Sequence, residues 1–370
     1  MNRSRYDWLL IAVFLAAITA PSVRQFTGGA ASTEAREKRK LAPLPAWPTT
    51  QAAVWQFPKQ FTAYETDHFG YRSDLIRLHA LLLYRGLGLS PSGFVLAGRD
   101  GWLYYADDYS LEDFHSARRF TTAELERWRE VLEQRQAWLA THGCRLLVVF
   151  PCDKYIIYPE YLPAAYRRPT VPYRVDELTD YLRRHSAVPV VALHEALLEA
   201  KPHDRLYHRT DTHWNDRGTH VGYREIITRL GLTPLPLEAF EPVNVTTEGW
   251  DLARMMGLED IAHEEDRQLV PRAPRRARVV DRDRPDRLWN NGRVVLEVDA
   301  PSLPRLVVFR DSFGSALVPF LAEHFRRSVF LWQYDFDPQV IDREKPDVVI
   351  WLITSRRLQW YEPVNPPLPE

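Results

Sequence analysis

The chain has 370 residues, 45% of them hydrophobic, with a formal net charge of -1. That is material for two domains or one large α/β domain with an ample core. The near-neutral balance excludes a global positive field that would gather nucleic-acid phosphates. The chain has no Walker motif, no GxGxxG pattern and no internal repeat.

Arg3 and Arg5 precede an apolar run from Trp8 to Ala20, the layout of a secretory n-region and h-region. The run is short for a membrane span of about 20 residues, although Pro21-Ser22-Val23 lengthens it slightly. A cut after Ala20 would leave Pro21 directly behind it, an arrangement that resists signal peptidase. Residues 1–23 therefore read as an uncleaved anchor, with a cleaved signal peptide as the alternative. Positive charge ahead of the run places the body outside the cytoplasm. Residues 24–55, rich in Ala, Thr, Pro and charge, read as a linker.

A globular region is expected over 56–360, ahead of a Pro-rich tail at 361–370. Its first helix should run from about Ser73 to Arg85, with Leu75, Leu78, Leu81 and Leu82 apolar. A second, Thr122 to His142, opens on Thr121-x-x-Glu124, a capping box. Short β-branched runs then alternate with helical patterns. Strands are predicted at Arg145–Phe150, Val188–Leu193, Leu306–Phe309, Val329–Trp332 and Val348–Ile353, with helices near Val175–His185, Asp216–Leu230 and Phe313–Phe325. That alternation predicts a mainly parallel sheet flanked by helices. Leu288–Val298, with Asn291-Gly292 inside it, reads as a β-hairpin insertion. Cys144 and Cys152 flank a predicted strand, which separates their Cα atoms by about 26 Å, too far for a disulfide. Zinc is equally unsupported.

Thr210-Asp211-Thr212-His213-Trp214-Asn215 carries the clearest chemical signal. In an extended loop, residues two apart project to the same side, so Asp211 and His213 can present carboxylate and imidazole together. Ser312 follows an apolar run in Leu306-Val-Val-Phe-Arg310-Asp311-Ser312-Phe313-Gly314. An acid that orients a His, and a His that deprotonates a Ser, are the parts of nucleophilic acyl transfer. In an open parallel sheet, sites form beyond the carboxyl ends of the strands, and Ser312, Lys154 and the 211–213 loop all fall there. A Ser at a strand-to-helix turn also has its own N–H and those of the next turn to face an oxyanion.

Each residue has a plainer reading as well. Ser312 can be only a helix N-cap. His213 can be structural, or a metal ligand with His208 and Asp211, since His203, His208, His213 and His220 cluster; no metal and no cofactor is assigned. Lys154 is a solvated loop residue, or else a substrate contact or structural anchor of the site, Asn215 and Arg310 are candidate oxyanion or substrate contacts, and Asp311 braces the turn. The Arg-dense stretch from Arg267 to Arg287 reads first as a solvated loop and second as a grip on an anionic polysaccharide.

Together, Asp211-Thr-His213-Trp-Asn215 and Phe309-Arg-Asp311-Ser312-Phe-Gly314 resemble the SGNH-hydrolase-like fold of bacterial alginate O-acetyltransferases (the AlgJ/AlgX type). Further blocks in the same order extend the resemblance over roughly residues 55 to 355: Asp67-His68-Phe69-Gly70-Tyr71-Arg72, Gly98 to Tyr105, Pro151-x-x-Lys154, Tyr158 to Pro163 and Gly249-Trp-Asp251-Leu-Ala253. As in that family, Asp-x-His precedes the Ser, the reverse of ordinary SGNH esterases. The resemblance implies Ser312 as the acetyl-accepting nucleophile, His213 as general base and Asp211 as its orienting acid. It also implies acetyl transfer onto exopolysaccharide hydroxyls in the Gram-negative periplasm, with a membrane-bound O-acyltransferase as donor partner and the inner membrane holding the N-terminus. A carbohydrate esterase and a non-catalytic subunit of a polysaccharide complex are the rivals. Trp250 is extra relative to the Gly-Asp-Leu expected there, and polymer capture by the C-terminal carbohydrate-binding module of some relatives is not expected.

Overall fold

The structure is a computed structural model that describes residues 3–27, 40–166, 171–283 and 292–368. They fall into two compact units, Met1–Leu87 and Gly88–Glu370.

In the first unit a helix runs from Arg3 to Thr27, and its Tyr6–Gln25 portion is long and apolar enough to cross a membrane. A second helix, Gln51–His68, begins inside the stretch expected to be linker. Its interior Pro58, a helix breaker by propensity, hid it in the sequence, and none of its side chains is buried. Thr50 caps it, accepting from the Ala53 N–H. The expected helix at 73–85 is present as Arg72–Leu81 with a π-helical turn, Leu82–Gly86. Its Leu75, Leu78 and Leu82 are exposed rather than packed inward.

The second unit is built on a seven-stranded sheet. Its strands, numbered along this unit, are β1 Val95–Ala97, β2 Leu103–Tyr105, β3 Arg145–Phe150, β4 Val190–Ala192, β5 Phe240–Thr247, β6 Glu264–Pro271, β7 Arg278–Arg282, β8 Val294–Glu297, β9 Arg305–Arg310, β10 Arg327–Trp332 and β11 Val348–Leu352. The main sheet has the order β4-β3-β11-β9-β10-β8-β7. The five strands expected from sequence are its contiguous parallel part. In central β11 all five residues are buried, which is why it reads as an unbroken apolar run rather than an alternating one. Helix Thr122–Thr141 packs on β3 and helix Arg174–His185 on β4, while Asp216–Arg229 packs against Phe313–Leu321. The capping box at Thr121 and Glu124 is formed on both sides.

Two sequence expectations change here. The hairpin expected over Leu288–Val298 is wider than that: β7 and β8 are its antiparallel arms, and through β8, antiparallel to β10, it extends the edge of the main sheet rather than standing apart. The Asn291-Gly292 turn expected inside that hairpin has its Asn291 outside the described residues. Part of the Arg-dense stretch is strand rather than loop, ending β6 and forming β7. The Pro-rich tail is also docked. Buried Arg135 donates to Asn365 Oδ1 at 2.7 Å and to the Val364 carbonyl at 2.9 Å. Both cysteines are buried and free.

Candidate active site

Because β3, β9 and β11 are parallel, their carboxyl ends share one edge of the sheet, and each delivers residues there. After β9 the chain turns at Asp311-Ser312 into helix Phe313–Leu321. Ser312 occupies the N-cap position, yet its side chain makes no capping bond. Asp311 takes that work: its Oδ1 accepts from the Phe313 N–H at 2.9 Å, and its Oδ2 accepts from Thr354 N–H at 2.9 Å, Thr354 Oγ1 at 2.5 Å and Tyr334 OH at 3.1 Å. Gly314 is required by the tightness of this turn, since a Cβ there would lie 2.7 Å from Arg310 Cβ.

The second loop, between helices His194–Ala200 and Asp216–Arg229, is closed by a bridge between Tyr207 and Trp214. At its tip His213 Nδ1 lies 2.7 Å from Asp211 Oδ1. Burial would raise the Asp211 carboxyl, but the His213 ring and its hydrogen bond, with the nearby His208 and Lys154 charges, hold it well below the usual carboxylate range. A carboxylate only accepts, so Nδ1 must donate and Nε2 is left with its lone pair. Nε2 is buried and has no hydrogen-bond partner among the described residues. The Ser312–His213 bond is therefore not made in this structure. The two elements are nonetheless adjacent, because the His213 and Phe313 rings are 5.0 Å apart and Ser312, half-buried, immediately precedes Phe313.

The other sequence candidates turn out to be supports. Lys154 is buried, and its Nζ donates to the carbonyls of His208 (3.0 Å), Arg209 (3.0 Å) and Asp211 (2.5 Å). Burial lowers its pKa to about 7, against the pull of Glu264 and Asp211. Asn215 accepts from Arg217 and Gly218 N–H as the N-cap of its helix and donates to the Arg205 carbonyl and Asp266, so its amide is committed inside the protein. Arg310 is buried, with Nη1 donating to Ser315 Oγ at 2.8 Å and to the Asp311 carbonyl at 3.2 Å. In both residues these bonds hold the loops in place. Two amides expected to face an oxyanion are also engaged internally: Phe313 N–H by Asp311 and Ser315 N–H by the Ser312 carbonyl.

Sequence reasoning missed Glu264 and Asp266 on β6. Glu264 accepts from Arg209 N–H (2.7 Å), Thr210 N–H (3.0 Å) and Thr210 Oγ1 (2.6 Å). Asp266 pairs with His208 Nδ1 at 2.9 Å and with Arg205 at 2.9 Å. Burial would lower His208, but its contacts with Asp266 and Glu264 raise it to about 9. The available signal was their spacing, since residues two apart on a strand share a face. It was hidden in the charged run Glu264-Glu265-Asp266-Arg267. Asp251 is exposed, and it too lies close to this loop.

Two groups of three donors lie close enough for a metal among the described residues: His208 with Glu264 and Asp266, and Asp211 with His213 and Asp251. In the first, the carboxylate oxygens already accept from Arg205, Arg209, Thr210 and Asn215. In the second, Asp211 Oδ1 is engaged by His213 Nδ1.

Residues 95–332 match the family model described as SGNH hydrolase-like domain, acetyltransferase AlgX. The chain belongs to this family. AlgX-type domains share the architecture described above, a mostly parallel sheet flanked by helices. No curated protein sequence matches significantly. Among solved structures, the fold is similar to PatB1 of Bacillus cereus, with a TM-score of 0.55 and 17% identity over 71% of this chain and 96% of that one. It is also similar to a DHHW family protein from Eubacterium siraeum, with a TM-score of 0.53 and 14% identity over 71% of this chain and 90% of that one.

Proposed function

We propose that this AlgX-family chain is a periplasmic O-acetyltransferase that carries an acetyl group on Ser312 and passes it to hydroxyls of an alginate-like exopolysaccharide. The observation that carries this reading is the unpartnered Nε2 of His213, held by Asp211 beside the helix that Ser312 opens. A side-chain turn at Ser312 or His213 on substrate binding completes the pair, since catalytic hydrogen bonds are often loose without substrate.

The steps follow from the groups present. His213 Nε2 takes the Ser312 proton as Oγ attacks the acetyl carbonyl of the donor. The protonated ring returns that proton to the departing donor group, and acetyl-Ser312 remains. An acceptor hydroxyl then loses its proton to Nε2 and attacks the ester, and Ser312 leaves with the proton restored. Asp211 stabilises the charged ring in both halves. A membrane-bound O-acyltransferase supplies the acetyl group, and the N-terminal helix anchors the chain in the inner membrane of a Gram-negative cell.

The test is incubation with an activated acetyl ester, with and without an oligosaccharide acceptor. One acetyl on Ser312, seen by peptide mass spectrometry and lost in Ser312→Ala, is expected, with transfer to sugar faster than acetate release. Labelling unchanged in Ser312→Ala would place the nucleophile elsewhere. Acetate release indifferent to every acceptor would favour an esterase.

A further inference from the structure

The first unit carries large apolar side chains that stay half or more exposed among the described residues. Trp47 and Trp55 are 82% and 80% exposed, and Leu78 and Leu82 are 52% and 60% exposed. Most of them are not scattered. Leu75, Leu78 and Leu82 follow the i, i+3, i+7 spacing of one helix face, as do Val54, Phe57 and Phe61 on the preceding helix, where Trp47 meets Phe57 edge-on at 5.7 Å and Phe57 stacks on Phe61 at 5.8 Å between centroids. Apolar side chains grouped in this way mark a surface that meets another phase or partner.

The corner between the two helices shows which. Gly70 lies so close to Pro21 that a Cβ would meet the Pro21 carbonyl oxygen. Gln25 Nε2 donates to Glu65 Oε1 at 3.3 Å, and the Arg24 guanidinium sits 5.9 Å from the Tyr71 ring centre. The end of the apolar Tyr6–Gln25 helix is thus fastened to the start of the exposed faces. A 20-residue helix is about 30 Å long, the thickness of a bilayer hydrocarbon core. If Tyr6–Gln25 spans, Arg24 and the corner it holds lie at headgroup level.

We propose that the helix pair, residues 51–86, lies on the membrane surface with its apolar faces in the headgroup–acyl boundary, so that lipid is the occupant of these faces. Trp favours that depth. Between Lys40 and Leu87 five basic side chains stand against three acidic ones, a balance suited to anionic headgroups. The assignment is independent of the acetyl-transfer reading.

The full chain in proteoliposomes tests it. Single labels are placed by Phe61→Cys and Leu78→Cys, with Glu130→Cys, exposed in the second unit, as control; Cys144 and Cys152 are buried and stay unlabelled in the folded chain. An environment-sensitive fluorophore at 61 and 78 should lose more than half its emission to a shallow nitroxide lipid and little to aqueous iodide. The label at 130 should behave the opposite way. Iodide quenching at 61 and 78 without lipid quenching would overturn the proposal. Protection from both quenchers that grows with the protein-to-lipid ratio would assign the faces to a second copy and also overturn it.

Discussion

Lys154 Nζ lies 2.5 Å from the main-chain carbonyl oxygen of Asp211, so the residue that follows β3 grips the loop bearing the acid of the candidate site. Its three N–H groups meet three carbonyls, those of His208, Arg209 and Asp211. Lys154→Met is expected to strand these acceptors in a buried place and to cost about 3 kcal/mol or more of unfolding free energy. Lys154→Arg should not rescue it, because a planar fork cannot reproduce three converging donors. Urea denaturation reads the result, and a wild-type midpoint for Lys154→Met would refute the clamp.

Asp211→Asn preserves shape but offers an N–H where His213 Nδ1 needs an acceptor. The ring then takes the wrong tautomer, and acetylation of Ser312 should slow by about 10³–10⁴. Single-turnover labelling measures the rate, and an unchanged circular dichroism spectrum shows that folding is not the cause. A loss under tenfold would remove Asp211 from the proposed role.

His208 sets one pH dependence of stability. Its folded pKa, about 9, lies above the ordinary 6.5, so its contribution is complete below pH 6.5 and is lost as pH rises through 9. With the side chain 17% exposed, this is on the order of 2–3 kcal/mol. The melting-temperature gap between wild type and His208→Gln should be widest near pH 6 and close above pH 9. A gap constant across that range would mean that the ion pairs with Asp266 and Glu264 do not stabilise the fold.

Asp113 works in the other direction. Burial, then the charge of Asp153, raises it from 3.8 to about 7. Its stabilising contribution is therefore present at low pH and lost as pH rises through 7. Asp113→Asn is neutral at every pH and should gain on the wild type above pH 7, by on the order of 2 kcal/mol. Below pH 4, where the carboxyl is protonated in both the folded and the unfolded chain, it should be equal or worse, because an amide N–H replaces the oxygen that accepts from Ser355 and Tyr155. Melting curves at pH 3.5 and 8.5 decide this, and a difference independent of pH would count against it.

The parallel strands were legible in the sequence because burial on both faces leaves short β-branched runs, as in Val348–Leu352. Asp211 and His213 were legible as a pair for a local reason: two positions in one loop need no tertiary contact to face the same way. Helix Gln51–His68 was not legible, because Pro58 interrupts it and it opens inside a Pro-rich, linker-like stretch. Only the tertiary structure decided which polar residues are supports. Arg310, Asn215 and Lys154 are residues with the chemistry to touch a substrate, and what assigns them otherwise is the set of partners that folding brings to their donors and acceptors. Glu264, more than fifty residues from Thr210 in sequence, became visible only when β6 brought its carboxylate to the Thr210 N–H and hydroxyl. Sequence spacing determines which groups a loop can present. The long-range contacts determine which of those groups have already been used by the fold.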